Sequence, residues 1–240
     1  MKLDVSGVAD DFPSFRVAVV VAAGLEIGET RPAELDRLMA EREAAARERW
    51  SGLELAEIPG IAAWRKAYRA FGIKRTSYRS SVERLLKNVL AGRSLPVING
   101  FVDAYNAVSL AHVLPIGADD LDGVIGDFAF RYAKEGDSFQ DMGADEDENG
   151  YPESPPKAGE VVYADARKVL CRRWNWRQDA RSLVTTRTTR AVVTLQSNGW
   201  GDVAAAADDL VTLLARFCAA SCAVSLADAG QRRVVDLNFP

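Results

Sequence analysis

"VINGFVDAYNAVSLAHVLPIGADDLDG", residues 97–123, is the stretch on which the reading of this chain turns. Spaced at i, i+4 and i+7, Asn99, Asp103 and Asn106 form one narrow polar stripe on a helix. Nearly everything else before His112 is apolar or small, including Ile98, Phe101, Val102, Ala104, Ala107, Val108 and Leu110. A surface helix carries a broad polar face and a core helix carries none, so the stripe predicts a buried helix with three polar side chains in need of partners. Pro115 and Gly117 end it.

Reading outward, "FRVAVVVAAGL" (15–25) predicts a buried strand, and 31–50 an amphipathic helix with Pro near its start and i,i+4 charge pairs. A Pro–Gly turn opens "IPGIAAWRKAYRAFGIK" (58–74), a helix with Ile61, Trp64, Tyr68 and Phe71 on one side. In "SYRSSVERLLKNVLAGRS" (77–94), Ser80 or Ser81 is the N-cap, Leu85, Leu86, Val89 and Leu90 form the buried stripe, and Gly92 is the stop. Residues 123–142 alternate and predict strands joined by a turn near Glu135–Gly136, and 143–160 predict an exposed acidic loop. Two short strands around a turn at Asp165 follow, then a Trp-Asn-Trp-Arg cluster, a further β segment over 184–197, a helix over 202–219 and two closing strands. Early helices and late strands predict an α+β fold, with mixed or antiparallel sheets flanked by helices. A single domain over 1–240 is expected, with 1–57 as an N-terminal strand and helix extension.

With 240 residues, 48% of them hydrophobic and 27% charged, the composition is that of a globular chain. No apolar run is long enough to span a bilayer, the first residues lack a signal-peptide pattern, and the three cysteines form neither a disulfide framework nor a zinc motif. A cytoplasmic location is the expectation. The only histidine is His112, so a multi-histidine metal site is excluded and a histidine-dependent nucleophile rests on one residue, more simply read as a packed or surface-tip imidazole.

The net charge of −4 hides segregation. From Trp64 to Arg93 nine Lys/Arg face Glu83 alone; from Tyr163 to Arg190 eight face Asp165 and Asp179. Between them, Asp137 to Glu160 holds eight acids against Lys157. Two readings stand: a localised polyanion-binding face, or basic segments that are solvated and pair with the acidic one.

The run from Leu95 to Phe139 resembles the tRNA-editing (B3/B4) domain of the bacterial phenylalanyl-tRNA synthetase beta subunit. The resemblance is carried by Ile98–Asn99, Val102–Asp103, Asn106, Pro115, Asp120, Asp122, Arg131 and Gly136. It extends over most of 58–195, and the remainder fits the freestanding members of that family. It implies a B3/B4-type fold whose helix 100–112 borders a pocket for the aminoacyl-adenosine end of a mischarged tRNA, with Asn106 part of that pocket. Asn99 and Asp103 either join it or cap neighbouring backbone. Two departures stand out: Gly117 replaces the family's His, which deepens the pocket, and the glutamate that recognises a tyrosine hydroxyl has only Gln196 as a stand-in. Trp174 and Trp176 offer flat faces for a planar group such as guanidine, or are ordinary packing residues.

The expected activity is therefore trans-editing, hydrolysis of a mischarged aminoacyl-tRNA ester, with no metal or other cofactor. Asn106, Asp103 and Asp120 are the catalytic candidates. Ser80, Ser81, Asn99, Tyr105, Gly117, Trp174, Asn175 and Trp176 are the substrate-binding candidates, and Arg65, Lys66, Arg75, Arg79, Arg172 and Arg173 the tRNA-binding ones. An arginine analogue on arginine tRNA, canavanine, leads as substrate, because its less basic guanidino group suits a pocket without a well-placed carboxylate. The alternative is a non-catalytic tRNA- or ligand-binding module of the same fold.

Overall fold

The computed structural model describes residues 1–74, 78–145 and 150–240. In chain order the elements are β1 (Lys2–Asp4), α1 (Ser6–Ala9), β2 (Phe15–Ala23), α2 (Ala33–Arg49), α3 (Pro59–Ala70), α4 (Ser81–Leu90) and α5 (Gly100–His112). There follow β3 (Ile116–Asp120), β4 (Phe128–Tyr132), β5 (Val161–Ala164), β6 (Val169–Arg172), β7 (Arg177–Gln178), β8 (Arg190–Asn198), α6 (Val203–Cys218), β9 (Ser221–Asp228) and β10 (Val234–Asp236). The fold is α+β. One sheet, β3-β8-β2-β9, is antiparallel throughout; the other, β10-β1-β4-β5-β6-β7, is mixed through its parallel β1–β4 pair.

The valine run of β2 explains the layering. Successive side chains of a strand point to opposite faces. Ala18, Val20 and Ala22 pack under α2, α4, α5 and α6, whereas Val17, Val19 and Val21 pack toward the second sheet and α3 with Phe128, Phe130 and Trp64. β2 thus has two cores, which requires β-branched or small residues at nearly every position. The stretch expected as an extension supplies this central strand, flanked by β8 and β9.

Two sequence expectations change. Residues 123–142 form one strand, β4, whose partners are β1 and β5; after the turn at Glu135–Gly136, Gln140 and Asp141 only bridge to Glu153 and Asp179. And "IGADD", read only as the end of a helix, is β3, paired with β8. α5 itself stops when Val113 turns left-handed (φ 54°), one residue before Leu114–Pro115.

Candidate functional site

Between the helical layer and the second sheet lies a cavity of about 450 Å³. α5 contributes Tyr105 and Asn106, β3 contributes Gly117 and Asp119, and α4 contributes Ser81 and Arg84. Tyr163 on β5 and Cys171 on β6 come from the second sheet, and Asn175 and Trp176 from the turn after β6. Thr194 and Gln196 of β8 complete a wall.

Gly117 and Thr194 are partners across the β3–β8 ladder, so their side-chain directions share a face. A Cβ built on Gly117 meets no atom within 4 Å, so the missing side chain is open space. The wall behind it is a directional chain of hydrogen bonds. Tyr68 Oη donates to Asn175 Oδ1 (3.0 Å), Asn175 Nδ2 to Gln196 Oε1 (3.1 Å), and Gln196 Nε2 to Thr194 Oγ1 (3.0 Å). Thr194 ends the chain as an acceptor, which leaves its own O–H to donate into the cavity.

Asp119 is the buried acid of the site. Its Oδ1 accepts from Ser182 Oγ (2.7 Å) and Gln178 Nε2 (3.0 Å). Burial raises its carboxyl to about 7, although both hydrogen bonds act the other way. Burial likewise pushes the Tyr105 and Tyr163 phenols and the Cys171 thiol up, with the Asp119 charge adding to each, so Cys171 is a neutral thiol and not a nucleophile in waiting. The amide of Asn106 has no hydrogen-bond partner among the described residues.

The predicted residues divide. Asn106, Tyr105, Gly117, Ser81, Asn175 and Trp176 come together at the cavity. The rest of the stripe does not. Asn99 is the N-cap of α5, its Oδ1 accepting from Val102 N–H (2.8 Å). Asp103, fully buried, accepts from Arg31 Nε (3.1 Å) and from the Ile98 N–H (3.2 Å), a structural ion pair. Asp120 caps a single 3-10 turn through Asp122 N–H (3.0 Å) and accepts from Thr188 Oγ1 (2.5 Å). Ser80 occupies the N-cap position of α4 without a cap bond and lines a separate groove beside Arg65 and Glu83.

The Trp-Asn-Trp cluster splits because Arg173 and Trp174 both adopt left-handed backbone (φ 46° and 68°). That turn drives Trp174 into the core, edge-on to Phe12 (4.7 Å), Phe15 (5.0 Å) and Trp64 (5.3 Å), and returns Asn175 and Trp176 to the cavity. Trp174 is therefore packing, not a ligand face. Trp176 already carries Arg173 and Arg177 guanidinium groups within 4.4 and 4.5 Å of its ring.

The expected phosphate contacts are largely spoken for. Arg65 and Arg79 both pair with the buried Glu83. Arg172 uses its donors on Glu160 and Ser154, and Arg173 shares Glu160 (3.2 Å). Asp141 and Glu153 pair with Arg177 and Arg181, so the acidic segment does neutralise part of the second basic block. Lys66 is exposed, and Arg75 lies outside the described residues. The basic surface that adjoins the cavity is another set, a groove lined by Arg79, Arg84, Lys87, Arg93 and Arg177, sharing Arg84, Trp176 and Arg177 with the cavity mouth. Neither Arg84 nor Lys87 has an ion-pair partner among the described residues. Their i,i+3 spacing, opposite Val82, Leu86 and Val89, was the signal for it. Asp119 was detectable only by reading Ile116–Asp120 as a strand, whose alternation places it beside Gly117.

His112 is a surface-side partner of Asp209 (Nε2 to Oδ2, 3.1 Å) and takes no part in the cavity. Among the described residues no group of three or more His, Cys, Asp or Glu is arranged to hold a metal, and no helix is long and apolar enough to cross a membrane.

A family model described as the B3/4 domain matches residues 63–219. Among solved structures, an N-terminal fragment of the phenylalanyl-tRNA synthetase beta-subunit from Pyrococcus horikoshii is similar at 16% identity and a TM-score of 0.45. The match covers 92% of this chain and 50% of that one, so the chain spans half the length of that fragment. No curated protein matches.

Proposed function

The chain belongs to the B3/4 domain family, and from that premise we propose that it is an aminoacyl-tRNA deacylase acting in trans on a mischarged tRNA. The observation that carries this reading is the continuity of the 450 Å³ cavity with the basic groove. An aminoacyl ester ends in a polyanion, so its site needs a closed pocket for the amino acid beside cations for the phosphates. Arg84, Lys87 and Arg93 replace Arg172 and Arg173 as the proposed phosphate contacts.

The ester is already activated, so water needs only orientation and a stabilised oxyanion. Asn106, whose amide lines the cavity with no partner among the described residues, is assigned the water or the ester carbonyl; Thr194 O–H is a second donor. The vicinal ribose hydroxyl of the substrate assists as an internal acid–base group. Tyr105, Asn175 and Gly117 shape the amino-acid pocket. Canavanine on arginine tRNA loses the charge argument for its preference over arginine, because the Asp119 carboxyl lines the pocket, and it enters the test below as one candidate among several.

The test is a deacylation time course on tRNAs charged with cognate and non-cognate amino acids, canavanyl-tRNA included. Rapid loss of one mischarged ester with its cognate counterpart spared is the expected result. Salt-sensitive binding without hydrolysis across the panel would leave a non-catalytic tRNA-binding module instead.

A further inference from the structure

A second cleft, also of about 450 Å³, shares no lining residue with the cavity of α5 and β3. It is bounded by the residues that follow α3 (Phe71 to Lys74), by Tyr78 and by the turn from Lys157 to Glu160, with Arg173 in its wall. Arg173 is 5% exposed, yet its Nε and Nη1 are buried without a hydrogen-bond partner among the described residues. A smaller lobe continues past Ile73, Lys74 and Tyr78 and holds another orphan, the buried Ser80 Oγ.

The charges around Arg173 do not balance. Glu160 takes Arg172 on both oxygens, Nε to Oε2 (3.1 Å) and Nη2 to Oε1 (2.8 Å). Arg173 reaches only the occupied Oε1, through Nη2 at 3.2 Å. One carboxylate for two guanidinium groups leaves one positive charge inside the protein. Burial pulls the Arg173 guanidinium below its usual range; Glu160 opposes this in part, and the Arg172 charge adds to it. The Tyr78 and Trp176 rings, 3.8 and 4.4 Å from its Cζ, hold the group but supply no lone pair. Lys74 and Lys157 line the same cleft, both exposed and neither with an ion-pair partner among the described residues. A buried charge with two bare donors is costly unless an anion enters to pair with it. A guanidinium beside two ammonium groups is a donor set suited to phosphate. The cleft has the size of a small-molecule site, and Phe71 and Ile73 give it an apolar wall, so the phosphate comes on an organic body. Depth selects a terminal phosphate, because a phosphodiester carries a substituent on either side and cannot bring its oxygens onto donors this recessed.

We propose that this cleft is a second binding site, for a phosphomonoester, with Arg173 as the buried donor and Lys74 and Lys157 as the exposed cations. The site does not depend on the deacylase reading, and it is separate from the α4 groove to which the tRNA backbone is assigned. A phosphomonoester occurs on free metabolites and at the 5′ end of an RNA; the chemistry offered by Arg173 is the same for both.

The test is calorimetric titration of the intact protein with phenyl phosphate, a monoester, and with diphenyl phosphate, a diester, at one ionic strength. The monoester should saturate a single site and bind at least about tenfold tighter than the diester. Arg173→Lys keeps the charge but removes the guanidinium donors, and should weaken the monoester by about tenfold or more. Replacing Lys74 and Lys157 together with Ala changes only exposed side chains; it should weaken binding about fivefold at unchanged Tm, which keeps the test open if Arg173→Lys folds poorly. The Arg84, Lys87 and Arg93 triple Ala variant should bind phenyl phosphate as the wild type does. The proposal is overturned by an absence of saturable monoester binding, by equal binding of the diester, or by an affinity that follows the triple variant and ignores Arg173 and the two lysines. Uncharged tRNA with and without its 5′-phosphate separates the two sources. Tighter binding of the phosphorylated form by the wild type, lost in Arg173→Lys, assigns the site to an RNA end; equal binding of the two forms assigns it to a free phosphomonoester.

Discussion

Asp103 lies on the same stripe as Asn106, one helical turn away, and the two should respond oppositely to mutation. Asp103→Ala takes the one buried carboxylate from Arg31, whose side chain is 5% exposed and which keeps only the exposed Asp36 and the Leu95 and Pro96 carbonyls, and leaves the Ile98 N–H without its acceptor. Breaking a buried pair from one side costs about 3–5 kcal/mol, which lowers Tm by roughly 6–20 °C in a chain of this size. Residual activity per folded molecule should be unchanged; loss of activity at full folding would return Asp103 to the site. Asn106→Ala should leave Tm alone and lower deacylation by about 10²-fold, the scale for losing one oriented donor. Wild-type turnover would remove Asn106 from the chemistry. Gly117→Val is a third single-residue probe, because an added Cβ meets nothing within 4 Å and the backbone needs no glycine φ. It should fold normally and block ligand binding by occupying the cavity, read as loss of ester binding at unchanged Tm.

β3 is the element that makes the site, and its pH behaviour exposes Asp119. An aspartate that ionises near 3.8 when free holds its proton to about 7 here. The folded state therefore binds that proton more tightly than the unfolded chain. The contribution of Asp119 to stability falls as pH rises through that window and is lowest above about 7. Thermal melts of wild type and Asp119→Asn at pH 4 and pH 8, round values either side of the window, should differ most at pH 8, where the variant lacks the buried charge; parallel curves would show that Asp119 is not buried in its ionised form. The strand was illegible in the sequence because "IGADD" follows a helix-ending Leu-Pro and carries two acids and a glycine, all poor strand formers. Pairing with β8 overrides that preference. The helices were legible for the opposite reason: α4 and α6 have a repeating apolar face, and α5 has its N-cap Asn99 and a nearly unbroken apolar surface.

Over the whole molecule, charge segregation becomes a salt prediction. If tRNA phosphates lie in the groove of α4, replacing Arg84, Lys87 and Arg93 together with Ala should reduce the slope of log K against log salt by about 2–3 while leaving Tm nearly unchanged. Arg172→Ala is the contrast. It should lower Tm, because its donors hold Glu160 and Ser154, and leave the salt slope unchanged. A slope that ignores the triple variant would move the RNA to another face.

The sequence by itself determined the α+β class, the two-sided burial of β2, the helix bearing Asn106 and the open position at Gly117. Each is a local matter of periodicity, of a run of β-branched residues or of one missing side chain. Tertiary structure alone decided which polar residues meet at the cavity. The Asn99–Asp103–Asn106 stripe is one face in helical projection, but Arg31 reaches it from 72 residues away and claims its middle. Two left-handed residues send Trp174 inward and Trp176 outward, and Glu160 neutralises arginines that read as free cations. Long-range pairing fixes which charges are spent and which remain, because a charge in a folded interior is defined by what faces it and not by its neighbours in the chain.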